Sequence, residues 1–221
     1  NAIAKPVFNK AIPDGLTASQ VINTYINAIG GKDLLKSVNS LVSKAEVNIP
    51  GAPFKPQMTM KQMAPNMTST KMEVNMNGQK MTLMKSTFDG ESGYIEAQGQ
   101  RNTMEQKQID RAKAVKGIFE ELYYSEDELE LLSINSINFN DAYKVKVTEG
   151  EKVSYRYYSV DSGLLLSVEE EIDNNIVSRN YNDYRLVEGI KFPFYTEIPA
   201  QKLELNITEI LINEDLKESD F

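Results

Sequence analysis

The dipeptide Asn77-Gly78 constrains this chain more than any other pair of residues. It sits between two alternating runs, Lys71–Met76 and Gln79–Thr87. Asn and Gly both tolerate positive φ, so together they favour the type I′ turn, whose twist matches that of paired strands. A two-residue loop sets Met76 opposite Gln79, Val74 opposite Met81 and Met72 opposite Leu83. Met72, Val74, Met76, Met81 and Leu83 then share one face, and register and apolar pattern agree.

The same alternation recurs along the chain. Leu41, Ala45, Val47 and Ile49 fall on one face of a strand and Lys44, Glu46 and Asn48 on the other, with Val42 and Ser43 out of pattern. Pro50-Gly51 ends that strand, and Gln57–Met63 is a second. Further on, Tyr143, Val145 and Val147 alternate, as do Val153, Tyr155 and Tyr157. A three-residue loop, Glu149-Gly150-Glu151, aligns these two faces. Turns at Asp161-Ser162-Gly163, Asp173-Asn174-Asn175 and Glu188-Gly189 separate Leu164–Ile172, Ile176–Leu186 and Lys191–Ile198, and Leu203–Ile212 is the last strand. The count is about 10 to 11 strands joined mostly by short turns, which predicts an antiparallel meander.

Helical spacing interrupts this pattern twice. Thr17 and Gln20 form a capping box, and Val21, Ile22, Tyr25, Ile26 and Ile29 make one apolar stripe that Gly30-Gly31 stops. A short helix over Lys32–Ser37 follows. Residues 105–124 place Ile109, Ala112, Val115, Ile118, Phe119 and Leu122 on one side, with Gly117 dividing the stretch. Residues 1–16, with Pro6, Pro13 and Gly15, read as a linker or lead-in, and 17–221 as one α+β domain. Residue 1 is Asn, which predicts a processed form or a piece of a longer product. No run of about 18 apolar residues is present to span a membrane as a helix.

Composition limits the chemistry. Cys, His and Trp are all absent from the 221 residues, and 24 Lys+Arg against 32 Asp+Glu give a net charge of −8. A thiolate nucleophile, a zinc–sulfur site and the commonest general base and metal ligand are thereby removed. An acidic surface is also wrong for nucleic acid. Glu120, Glu121, Glu126, Asp127, Glu128 and Glu130 surround Tyr123-Tyr124, but without a calcium-loop spacing they read as a solvated loop. Glu169-Glu170-Glu171 point to alternate strand faces and do not converge as a glycosidase pair. No nucleophile elbow or glycine-rich phosphate loop stands out. The residues therefore point away from an enzyme and imply no metal and no cofactor.

All nine Met residues lie between Met58 and Met104. Met58 and Met60 share one strand face, and Met72, Met76 and Met81 share the hairpin face. Methionine is flexible and polarizable, so such a face suits a soft cavity for acyl chains or hydrophobic peptide, or the filling of an ordinary core. Both uses remain open. Tyr143, Tyr155, Tyr157, Tyr158, Tyr181 and Tyr184 have strand spacing and lean toward core or cavity lining.

Val21–Gly31, followed by an alternating strand, resembles the opening of bacterial lipoprotein-localisation-factor-like domains. Asn182-Asp183-Tyr184-Arg185-Leu186-Val187-Glu188-Gly189-Ile190-Lys191-Phe192-Pro193 resembles their Tyr-x-x-x-x-Gly-x-x-x-Pro strand–turn–strand, and Asp161-Ser162-Gly163-Leu164-Leu165 the turn before it. The resemblance covers about residues 17–212. It implies a half-open, curved antiparallel barrel with helices covering its concave face, and a hydrophobic cavity that shelters lipid in the periplasm or at the outer membrane. The expected partner is a lipoprotein acyl chain or another lipid. The expected lining is Met58, Met60, Met72, Val74, Met81 and Leu83, with Tyr25 and Ile26 on the covering helix. At about 25 cal/mol per Å² of buried apolar surface, a chain of roughly a dozen methylenes would gain several kcal/mol. The family closes its cavity through an arginine, to which no residue is assigned from the sequence. The chain also resembles the C-terminal extension of insulinase-type zinc peptidases of Bacteroidetes-like bacteria, with Asn1–Pro6 as the linker. That resemblance implies an accessory interaction domain with a filled core. The peptidase motif H-x-x-E-H cannot occur without His, so any peptidase would lie upstream.

Overall fold

Asn77 and Gly78 have φ of 54° and 83°. They join the strands Met67–Met76 (β3) and Gln79–Phe88 (β4), which pair Met76 with Gln79 and Val74 with Met81 as the dipeptide requires. The register then shifts by one. Thr82 faces Glu73, but Met84 rather than Leu83 faces Met72. Leu83 is the extra residue of a β-bulge, and the expected Met72–Leu83 pair does not form.

The computed structural model describes residues 10–172 and 175–221. Most of the expected lead-in, residues 1–9, and the turn residues Asp173 and Asn174 lie outside the described residues. The other strands are Ser40–Asn48 (β1), Gln57–Met63 (β2), Gly93–Ala97 (β5), Gln100–Thr103 (β6), Leu129–Ile137 (β7), Asn140–Glu149 (β8), Lys152–Ser159 (β9), Leu165–Ile172 (β10), Asn175–Val187 (β11), Ile190–Ile198 (β12) and Leu203–Ile212 (β13). All belong to one antiparallel sheet in the order β6-β5-β4-β3-β2-β1-β13-β12-β11-β10-β9-β8-β7. Two meanders are thus fused along the β1–β13 seam. The sheet is curved and unclosed, with β6 and β7 at its edges. It has 13 strands rather than the expected number. The short β5 and β6 and the irregular β7 lack the clean alternation that reveals a strand.

Helix α1 (Ala18–Ile29) forms because Thr17 and Gln20 exchange hydrogen bonds of 3.2 and 2.9 Å at its start and Gly30 caps its end. It buries Ala18, Val21, Ile22, Tyr25, Ile26 and Ile29 against Val145, Val147, Tyr158, Leu165, Val168, Ile190, Phe192 and Ile210. That burial is worth on the order of 10 kcal/mol of transfer free energy, as an upper figure. Helix α2 (Lys32–Lys36) contributes Leu35 to the same cluster. Beyond Ile207, which packs against both groups, lies a second cluster of Ala45, Val47, Met58 and Leu205, with Met60 and Met72 at its margin. The helices cover only part of the inner face, since helix α3 (Gln106–Ala114) has no buried residue. The second half of the expected helix over 105–124 is instead irregular chain with a bend at 117–119 and a 3-10 turn, Glu120–Leu122. Gly117 lies where a Cβ would meet the Tyr123 ring at 2.6 Å.

The β7–β8 turn carries a local misfit. Asn138 and Phe139 have φ of 47° and 66°, and Phe139 is 104 % exposed. A bulky residue in the left-handed region costs about 1–2 kcal/mol, and here no buried contact offsets it. Phe139→Gly is therefore expected to raise stability by about 1 kcal/mol, read as a higher urea midpoint at unchanged m. A lowered midpoint would show that the ring contributes to the fold.

Candidate functional site

The β8–β9 loop decides what faces inward. Glu149 pairs with Lys152, which leaves a two-residue loop, Gly150-Glu151, instead of three residues. Val145 then faces Arg156, Val147 faces Ser154 and Tyr143 faces Tyr158. A shift of one residue exchanges every side chain between the two faces. Ser154, Arg156 and Tyr158 turn inward, and the expected row of Val153, Tyr155 and Tyr157 turns outward. There Lys144 lies 4.3 and 5.3 Å from the Tyr155 and Tyr157 ring centres, and Tyr157 donates to Glu169 Oε2 at 2.7 Å.

The segment after α3 crosses the inner face as a strap. Ile118, Phe119, Leu122 and Tyr124 pack on the main core, with Phe119 and Phe192 ring centres 6.1 Å apart. Between strap, α1 and sheet lies a half-open cavity of about 350 Å³. Its apolar wall is Tyr25, Leu41, Ile118, Phe119, Leu165, Val168 and Phe192. Its polar wall is Glu120, Glu121, Arg156, Glu170, Arg179, Tyr181 and Tyr184.

Arg156 pins the strap. Its Nη1 donates to Glu121 Oε1 at 2.8 Å and its Nη2 to Glu120 Oε2 at 2.6 Å. The Arg156 and Glu121 side chains are only 7 % and 8 % exposed. Burial works against the guanidinium charge, but Glu121, Tyr158, Tyr124 and Glu120 around it hold the proton firmly. Tyr124 donates to Glu120 at 3.1 Å. Glu120 and Glu121 are thus anchors, not part of a solvated acidic loop, whereas Glu126 and Asp127 are exposed. Among the described residues no acidic cluster could hold a metal ion.

A second, more exposed pair joins β10 and β11, where Arg179 donates to Glu170 Oε2 at 2.9 Å. Burial raises the Glu170 pKa, and the Arg179 hydrogen bond and charge outweigh it, leaving the carboxyl below its usual range. A depressed native pKa stabilises the fold fully above the ordinary carboxylate range, and the contribution fades as pH falls through the native value. Burial also pushes the Tyr25 and Tyr158 hydroxyls well up, so both stay neutral. Their ring centres are 5.2 Å apart.

The expected lining residues fall into separate places. Tyr25 lines the cavity, and Ile26 packs beside it in the main core. Met58 belongs to the second cluster, with Met60 and Met72 packed against it. Val74 is buried, Leu83 is half-buried at the bulge, and Met81 is 48 % exposed near the hairpin tip. Sequence reasoning missed Arg156, Glu170 and Arg179. The available signal was the loop count at Gly150-Glu151, which by itself turns Arg156 inward.

No protein-family profile matches the chain, and no curated protein matches it in sequence. Solved structures do match in fold. A LolA superfamily protein from Nitrosomonas europaea superposes with a TM-score of 0.58 at 11% identity, over 94% of this chain and 98% of that one. A domain described as a candidate outer membrane lipoprotein-sorting protein, from Vibrio parahaemolyticus, gives 0.56 at 10% identity over 92% and 95%. A DUF1329 family protein from Desulfovibrio piger gives 0.54 at 10% identity over 91% and 95%. The chain shares the fold of these proteins. None of the three names points to a peptidase extension, and the Asn1–Pro6 linker on which that expectation drew lies outside the described residues.

Proposed function

We propose that this chain is a non-catalytic carrier that shelters an acyl chain in the cavity beneath the strap, within the bacterial cell envelope. The observation that carries this reading is the cavity itself. It is half-open, about 350 Å³, with an apolar wall from α1, the strap and the sheet, and it is closed on one side by a buried Arg156 pair. Such a site binds by removing apolar surface from water. The shared fold with the lipoprotein-sorting domain supports a lipid or lipoprotein acyl chain as the occupant and the periplasm or outer membrane as the location.

Titration of delipidated protein with a fluorescent fatty acid, followed by displacement with unlabelled chains, tests the reading. Saturable binding near one site per chain is expected. Val168→Trp pushes a large ring into the cavity from a buried position; it should weaken binding by about tenfold or more and lower stability by about 1–3 kcal/mol, with the folded state retained by circular dichroism. Met81→Asp, at an exposed position, should leave binding intact if the chain sits in the cavity. Loss of binding in Met81→Asp with retention in Val168→Trp would move the site to the methionine face. Absence of saturable binding in the unaltered protein would end the carrier reading.

A further inference from the structure

Beside the cavity lies a second concavity, and nothing in the carrier reading uses it. It is a groove of about 440 Å³ between the polar side of α3 with the following strap and the tip of the β8–β9 hairpin. The two walls differ in sign. Lys107, Arg111 and Lys116 come from α3 and the start of the strap, with the carboxylates of Asp110 on α3 and Glu120 on the strap beside them. Glu149 and Glu151 come from the hairpin, with Lys152 beside them. Lys152 is already engaged, 3.5 Å from Glu149, 3.6 Å from Glu170 and 3.8 Å from Glu120. Among the described residues, Lys107, Arg111, Lys116 and Glu151 have no ion-pair partner. Ala114, Val115 and Tyr123 add apolar surface to the floor.

Among the described residues, Lys107, Arg111 and Lys116 on one side and Glu151 on the other are thus left without ion-pair partners, while Glu149 shares Lys152 with Glu120. Such charges reward a ligand that carries both signs in the matching order. A simple anion would gain from Lys107 and Arg111 but be repelled by Glu149 and Glu151, and a simple cation would meet the reverse. Glu120 borders both the groove and the apolar cavity, so the two spaces adjoin.

We propose that the groove seats a zwitterionic phospholipid headgroup, with phosphate toward Lys107 and Arg111 and ammonium toward Glu149 and Glu151, while the acyl chain enters the cavity. This inference rests on the carrier reading for the chain and adds to it the class of the head. The cationic wall supplies charge-assisted hydrogen bonds to phosphate oxygens, and the carboxylates accept from the ammonium. Selectivity comes as much from repulsion of singly charged heads as from attraction of the matched one.

The test compares lyso-phosphatidylethanolamine, lyso-phosphatidylglycerol and a fatty acid of equal chain length as displacers of the fluorescent fatty acid. The zwitterionic lipid should displace about tenfold better than either competitor. Lys107→Glu with Arg111→Glu changes two exposed side chains and should erase that preference, bringing the zwitterionic lipid to within about twofold of the fatty acid as a displacer. Equal displacement by all three lipids, or a preference that survives in the double variant, would overturn the headgroup assignment and leave the cavity standing. A separate arm uses soluble glycerophosphoethanolamine, which has no chain, in an NMR titration. Shifts clustered at Lys107, Arg111 and Glu151 would support the groove even if no fatty acid bound, and their absence would overturn it.

Discussion

Replacing Arg156 with methionine is expected to destabilise the protein by about 3–5 kcal/mol at neutral pH, although the two side chains are close in volume. The loss follows from what stays behind. Glu121 is 8 % exposed and Glu120 about one-third exposed, and both carboxylates rely on the two Nη groups of Arg156 at 2.8 and 2.6 Å. Without the guanidinium, the Glu121 carboxylate is left buried with its charge uncompensated. The cheapest escape is for the strap to lift and let both carboxylates reach water. Two readouts therefore move together: the urea midpoint falls, and trypsin cleavage at the start of the strap, after Lys116, accelerates.

The triple variant Arg156→Met, Glu120→Gln and Glu121→Gln separates burial of charge from shape. It removes the stranded negative charges with little change of volume and should recover stability to within about 1 kcal/mol of the original. A loss below about 1 kcal/mol for Arg156→Met alone would show that Glu120 and Glu121 are solvated. The strap would then not be pinned by this pair.

The fold was legible wherever a local signal fixed a local geometry. The Thr17–Gln20 box and the stripe from Val21 to Ile29 specify α1, and Asn77-Gly78 specifies its hairpin. The site was less legible because it depends on register across many strands. At the β8–β9 loop the alternation of Val153, Tyr155 and Tyr157 argues for an inward apolar row. The fold instead spends that row on an outer face where Tyr157 is 4 % exposed, and turns Ser154, Arg156 and Tyr158 inward. Both faces of β9 are substantially buried, so period-two hydrophobicity loses its power to choose between them. A related limit applies to the methionines. Their alternation was visible, but the bulge at Leu83 and the packing of Met58 and Met72 beside Ala45 and Val47 are tertiary facts. The Glu120–Glu121 anchors were hidden for a simpler reason: a carboxylate run reads as solvated until its arginine is placed.

Gly163→Val is expected to cost about 3 kcal/mol or more through two causes that can be measured apart. Gly163 sits at φ +72° in the β9–β10 turn, a conformation a β-branched residue resists. A Cβ there would also lie 2.9 Å from Thr24 Cγ2 and 3.5 Å from Ala28 Cβ, on the face of α1 that docks against the turn. Thr24→Ser removes Cγ2 but keeps the hydroxyl that donates to Gln20 O at 2.9 Å, so by itself it should change stability little. Combined with Gly163→Val it should restore only the steric share, leaving about 1–2 kcal/mol of backbone strain. Full recovery in the double variant would mean the turn tolerates a side chain, and no recovery would mean the helix does not rest on Gly163. The result bears on function because α1 brings Tyr25 to the cavity wall. A helix displaced at Thr24 carries Tyr25 with it, so Gly163→Val should also weaken fatty-acid binding, and Thr24→Ser should return part of that affinity.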